Sequence, residues 1–352
     1  MQSQRGHLDR AHGDLEVGVA DVLRHNDAAH HAAPLPKPPA WLTRWESRRP
    51  TLFAELAAEF VGVFIYVFCG IGATAAMVIT STAGVQGFAS LQTIAFSYGF
   101  AAAFAIIIAA PTSGGHLSPS FTIAFVLFKG FPVRKAPFYI LAQLLGAFIA
   151  CLCVYAQYKQ QLDLIYDALS AAKETSVIFS SHGPAGVLAL FPGAGQPLRW
   201  AFLNEFLCNL VLSILVFSVL DATNSFVAIA GAPFVIGLGY FVIIAAFAVD
   251  SVALNAARDL GGRFACAAIY GSECFNASKG YTALAALTTF PATILGAAIH
   301  TLLLSDNRRM LVNYPPTLHD QISLVNEERG FTVPGRALTR ETVFRDPSPL
   351  KA

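Results

Sequence analysis

Six apolar segments of about 20 residues dominate this chain, at roughly 52–77, 89–110, 136–157, 200–220, 228–249 and 281–304. Coiled as an α-helix rising 1.5 Å per residue, such a segment matches the ~30 Å hydrocarbon core of a bilayer. The charge content agrees. Only 13% of residues are Asp, Glu, Lys or Arg, against about 25% in soluble domains, and the mean hydropathy is +0.55. Within lipid every backbone polar group must find its partner inside the protein, so an all-α polytopic membrane protein is expected.

Two further apolar segments, 119–128 and 256–268, are too short to span. Each opens directly after a small, polar run: Ser113-Gly-Gly-His-Leu-Ser-Pro-Ser120 and Ala253-Leu-Asn-Ala-Ala-Arg-Asp-Leu-Gly-Gly-Arg263. Ser118 and Asn255 stand 137 positions apart, and Ala58-Glu59-Phe60 in the first span is echoed by Asn204-Glu205-Phe206 in the fourth. The halves, about 51–157 and 200–304, therefore read as repeats of three spans and one re-entrant half-helix. Three spans per half invert the second copy, so the half-helices enter from opposite faces and bring their N-termini together near the midplane.

Basic residues orient the bundle. Arg44, Arg48 and Arg49 precede span one, Lys129, Arg134 and Lys135 lie between spans two and three, and Arg308 and Arg309 follow span six. By the positive-inside rule both termini are expected to be cytoplasmic. The expected membrane is the plasma membrane, with an internal membrane left open. Residues 1–50 and 305–352 are polar and Pro-punctuated and read as disordered cytoplasmic tails around a 51–304 channel domain. The net charge of +1 carries no nucleic-acid signature. No phosphate loop, nucleophile–base pair or metal-ligand spacing is visible, so no enzyme activity, cofactor or metal site is expected. Of six cysteines, Cys69, Cys151, Cys153 and Cys208 fall in apolar runs as small hydrophobes. Cys266 and Cys274 lie near a membrane surface, and a bridge between them is not expected.

The first run resembles the aquaporin signature, Ser-Gly-Ala-His-Xaa-Asn-Pro-Ala, and the second resembles Asn-Pro-Ala-Arg-Asp-Leu-Gly-Pro-Arg. The likeness covers about 52–304 and implies the aquaporin fold, a homotetramer in the lipid bilayer with one pore per subunit. It also implies passive conduction. This chain departs from both signatures. The first reads Ser118-Pro119-Ser120 and the second Asn255-Ala256-Ala257. In the family each signature Asn donates an amide N–H into the pore from a half-helix N-terminus of positive potential, which repels protons and cations. Ser118 is expected to donate through its hydroxyl and, with Pro119 at the first helical position, to cap the half-helix.

Counting from the signatures, the resemblance places the selectivity filter at Tyr98, Ile243, Val252 and Arg258. Ile243 stands where water-selective members carry His, and Asp259 is the residue that glycerol-conducting members carry after the Arg. An Arg facing Tyr and aliphatics is amphipathic, and favours glycerol or a similar uncharged polyol, with water. Glu59 and Glu205 are expected to accept backbone N–H groups of the signature loops; His116 and Asp259 read as loop supports, and Arg263 as a partner of carbonyls at the half-helix end. Asp250 reads as a loop cap or ion-pair member, or as a vestibule residue paired with Arg258. His300 reads as a packing or subunit-contact residue, and Asn276-Ala-Ser278 is a sequon expected to stay unmodified. Two other readings stay open here: a non-conducting or gated member of the same fold, and a secondary transporter.

Overall fold

The computed structural model describes residues 38–306, apart from Gln86, Lys279 and the side chain of Asp250. The chain divides after Pro50. Before that boundary, Ala40–Arg48 forms helix α1, where the sequence reading has a disordered tail. Its N-cap is Pro39 and Arg48 occupies its last turn, where a cation complements the helix dipole. The remainder of both expected tails lies outside the described residues.

From Thr51 onward the chain is a bundle of six long apolar helices and two short ones. The long helices are α2 (Thr51–Thr82), α3 (Leu91–Ser113), α5 (Ala136–Ala171), α8 (Leu198–Val219), α9 (Ala232–Phe247, entered by a 3-10 turn at Ile229–Gly231) and α12 (Tyr281–Ile299, continued by a π turn through Leu304). Each is long and apolar enough to cross a membrane. The half-helices are α4 (Pro119–Phe128) and α10 (Ala256–Tyr270). Short helices α6 (Thr175–Ile178), α7 (Pro184–Leu188) and α11 (Glu273–Asn276) complete the order.

The packing repeats between halves. The first helix of each, α2 and α8, packs against the second and third of its own half; α3 and α9 cross between halves. Half-helix α4 packs chiefly on α12 and α10 on α5, so each half-helix leans on the third span of the other repeat. The α3–α9 crossing is close because both backbones are bare there. A Cβ on Gly99 would lie 2.8 Å from the Gly237 carbonyl oxygen, and one on Gly237 would lie 2.4 Å from that of Gly99. Small residues take this role in membrane helices, where packing rather than water exclusion drives association.

One boundary differs from expectation. Helix α5 does not stop near 157 but runs to Ala171, 36 residues in all, or about 54 Å at 1.5 Å per residue. Its last turns are polar and overrun a ~30 Å core. They remain helical because they have a partner. Tyr166 stacks on Tyr270 at the end of α10 with centroids 5.0 Å apart, Tyr155 meets the same ring edge-on, and Leu162 is fully buried. Lys159 and Asp163, one turn apart, add an ion pair, and the Tyr155 hydroxyl donates to Asp163 at 2.6 Å. Apolar length alone could not reveal this extension.

Candidate functional site

The two signature loops end in the same backbone device. Leu117 and Leu254, each just before a half-helix N-cap, adopt φ of 54° and 56°. Non-glycine residues seldom enter this left-handed region, so something must hold them there. Two membrane carboxylates, both fully buried, do so. Glu59 on α2 accepts the backbone N–H of His116 at 2.9 Å and of Leu117 at 2.8 Å, the Ser113 hydroxyl at 2.6 Å and the Gln143 amide at 2.8 Å. Glu205 on α8 accepts the Ala253 N–H at 2.8 and 3.0 Å and the Tyr281 hydroxyl at 2.8 Å. The His116 ring packs among Phe125, Phe131 and Tyr139 at centroid distances of 4.4–5.0 Å, with Nδ1 3.3 Å from the Thr122 hydroxyl.

The half-helix starts are no longer equivalent. Asn255 Oδ1 caps α10 by accepting the N–H groups of Ala257 at 2.9 Å and Arg258 at 3.4 Å. Its amide crosses to the other loop and donates to the Leu117 carbonyl at 2.7 Å. Ser118 sits at the corresponding N-cap with Pro119 following, yet its side chain makes no cap bond. Its hydroxyl lies 3.1 Å from that of Ser120, which in turn accepts from Thr293 on α12 at 3.2 Å. The shorter side chain is satisfied by its own half-helix and the adjacent span. Ser120 and Ala256 are buried and Ala257 fully so, directly behind the two caps.

Two cavities flank this crossing. The larger, about 260 Å3, is lined by Tyr98, Val252, Arg258 and Ile244 together with Ser181 and His182 of the 172–197 connection. Arg258, 3% exposed, is held from two sides: its Nε donates to the Tyr98 hydroxyl at 3.0 Å and one Nη to the Leu188 carbonyl at 3.3 Å. The smaller cavity, about 90 Å3, is lined by Gly114–Leu117, by Asn255 and Tyr240, and by a wall of aliphatics with Phe121 and Phe125. Tyr66 belongs to both cavities.

Three positions at this site stand apart from their sequence reading. Ile243 is buried but lines neither cavity, whereas its neighbour Ile244 lines the larger. A fixed count back from Asn255 crosses an extended loop and the 3-10 turn Ala248–Asp250, and such a count does not carry helical phase. Ser118 is not in either cavity wall. Third, Cys266 and Cys274, eight residues apart, form a disulfide joining α10 to α11. Both ends of that bridge are fully buried, and they meet because Gly271 at φ 87° turns the chain back on itself between them. Spacing alone could not show that reversal.

The bridge belongs to a buried network. Arg263 donates to the Cys274 carbonyl at 2.9 Å, to the Leu190 carbonyl and to Asp259 at 3.3 Å. Asp259 lines neither cavity. Asp259 and Arg263 thus tie α10 to residues 188–191, the same segment whose Leu188 carbonyl holds Arg258. His300 lies 3.6 Å from Asp221 and against the Phe217 ring. Asn276 ends α11, is exposed and is followed by the buried Ser278. The side chain of Asp250 lies outside the described residues. Among the described residues, no group of three or more His, Cys, Asp or Glu could hold a metal ion.

Sequence reasoning missed Tyr66 and Tyr240. Tyr66 lies seven residues after Glu59, two helical turns along and hence on the same face of α2. That spacing was the available signal. Its ring sits 5.2 Å from Tyr98 and 5.5 Å from Tyr240, centroid to centroid.

Most of the chain is similar to known proteins. Residues 46–279 match the family model "Major intrinsic protein". The chain is 43% identical over 263 residues to Aquaporin-3 of Laccaria bicolor, covering 73% of this chain and 78% of that one. It is 35% identical to Aquaglyceroporin-2 of Rhizophagus irregularis (65% and 70% covered) and 30% identical to Aquaporin-9 of Homo sapiens (73% and 84% covered). Its fold is similar to the X-ray structure of the aquaglyceroporin from Plasmodium falciparum, with a TM-score of 0.61 and 25% identity over 72% of this chain and 97% of that one. Six membrane-length helices, two carboxylate-held half-helices and this family match together place the chain in the major intrinsic protein (aquaporin) family, whose members are membrane channels and not enzymes.

Proposed function

We propose that this channel passes small uncharged polyols of the glycerol class, together with water, down their gradients. The observation that carries the reading is the environment of Arg258. Its guanidinium is fixed by Tyr98 and Leu188 in a cavity that also presents Val252 and Ile244. The free N–H groups suit hydroxyl oxygens, and the aliphatic wall accepts a carbon backbone. A fixed, desolvated cation opposes other cations entering the same space. Asp259 supports the reading indirectly, by anchoring α10 through Arg263 rather than by touching solute. The names of several relatives, aquaglyceroporins of fungal and protozoan origin, point the same way.

The assembly we infer is a homotetramer in the plasma membrane with both termini cytoplasmic. Exposed Phe96, Phe100, Phe104, Leu141 and Leu145 on α3 and α5 would then face lipid or a neighbouring copy. The test is stopped-flow light scattering from proteoliposomes of the full chain, shocked first with an impermeant osmolyte and then with glycerol. Glycerol re-swelling well above empty vesicles is expected. Water flow without glycerol flow would refute the polyol reading. Replacing Arg258 with Ala should raise glycerol flux and admit larger polyols.

A further inference from the structure

Three tyrosines from three helices meet where the two cavities adjoin: Tyr66 on α2, Tyr98 on α3 and Tyr240 on α9, all between 4% and 7% exposed. Their hydroxyls are not in the same state. That of Tyr98 accepts from Arg258 and is fixed. Those of Tyr66 and Tyr240 have no hydrogen-bond partner among the described residues, and both side chains line the smaller cavity. Neither oxygen is sealed from the cavity, so each can bond what passes through it. They share that wall with His116 and Asn255 and with aliphatics such as Ile106, Val216 and Ile236.

The position fits a gap left by the altered first signature. Ser118 is paired with Ser120 and absent from the cavity wall, so its half-helix offers no side-chain donor. Asn255 still lines the cavity, but one amide hydrogen is committed to the Leu117 carbonyl.

We propose that Tyr66 and Tyr240 form a second solute-contact station beyond the Arg258 level, where their hydroxyls bond the hydroxyl groups of a permeating polyol. The proposal rests on the polyol reading above and names the residues that act after the filter. A phenol both donates and accepts, so it can match either sense of a solute hydroxyl. The ring faces meet the carbon backbone of the solute at the same time. Neither group carries charge, so the station discriminates by hydrogen bonding and shape.

The test compares wild type, Tyr66→Phe, Tyr240→Phe and the double variant in proteoliposomes, with reconstituted protein quantified and helicity checked by circular dichroism. Phenylalanine keeps each ring and removes only the hydroxyl. A lost hydrogen bond is worth about five-fold, so the double variant should lose at least ~5-fold in glycerol permeability while water changes less than ~2-fold. An unchanged glycerol-to-water ratio in the double variant, with Arg258→Ala still altering selectivity, would overturn the station and leave the channel reading intact. A folded wild-type protein passing neither solute would overturn both. Equal loss of water and glycerol would also count against the station, because it would mark a general narrowing.

Discussion

The two membrane carboxylates look alike in sequence but carry different loads, and Gln substitution should separate them. Glu59 Oε1 accepts from Ser113 and the His116 N–H; Oε2 accepts from the Leu117 N–H and Gln143. A Gln at 59 keeps one acceptor, and its NH2 group must face a donor pair in either orientation. The Ser113 hydroxyl could turn, and Gln143 could flip to present its Oε1, which lacks a partner. A backbone N–H can do neither. One buried N–H is therefore orphaned, at about 1–3 kcal/mol, and the two retained bonds lose charge assistance worth about 1 kcal/mol each. The sum is roughly 3–5 kcal/mol.

Glu205 has more slack. Its main backbone donor is the Ala253 N–H, shared by both oxygens, with the Leu254 N–H as a weaker second contact, and Oε1 also accepts from Tyr281. A Gln oxygen placed at Oε1 keeps the Ala253 and Tyr281 donors, and the contact put at risk is the weaker one from Leu254. Lost charge assistance and that weakened contact together cost about 2–3 kcal/mol. Denaturant titration of the purified protein in micelles, followed by circular dichroism, should find Glu59→Gln less stable than Glu205→Gln by about 1–2 kcal/mol. Equal losses, or a greater loss for Glu205→Gln, would refute the claim that hydrogen-bond inventory sets these costs.

Further outcomes follow from the same geometry. Tyr98→Phe removes one of the two anchors of Arg258, and should lower discrimination between glycerol and longer polyols in a re-swelling series. Gly70→Ala would set a Cβ 2.1 Å from the Tyr98 ring; the ring must move, and glycerol flux should change several-fold at unaltered expression. Serine at both Cys266 and Cys274 releases an eight-residue loop, a loss of about 2.5 kcal/mol by the chain-entropy relation, measurable by thermal unfolding in micelles. Gly99→Ala should weaken the α3–α9 crossing by more than 1 kcal/mol, since its Cβ meets backbone rather than a movable side chain.

Much of the scaffold was legible in the sequence because a bilayer permits few backbones. Apolar length gave the six spans, and small polar runs opening into short apolar segments gave the half-helices. The Glu59 and Glu205 repeat gave the loop acceptors, since a lone carboxylate in an apolar span needs donors nearby. The gaps have two causes. The length of α5 depends on a contact distant in sequence, that with Tyr270, whereas the disulfide depends on the local turn at Gly271 and the cavity wall on the turn at Ala248–Asp250, whose geometry residue spacing does not encode. Ser118 shows the same limit. Its type allows it to cap or to face the pore, and Ser120 and Thr293 decide otherwise.

The most direct test of a passive pore for uncharged solutes measures glycerol entry and proton leak together. Proteoliposomes holding an entrapped pH-sensitive dye would be given a glycerol gradient and, separately, a pH gradient with a potassium shunt. Rapid, non-saturating glycerol entry with a proton leak no greater than that of empty vesicles is the predicted result. Absent glycerol flux, or flux that saturates and moves protons with it, would contradict the account.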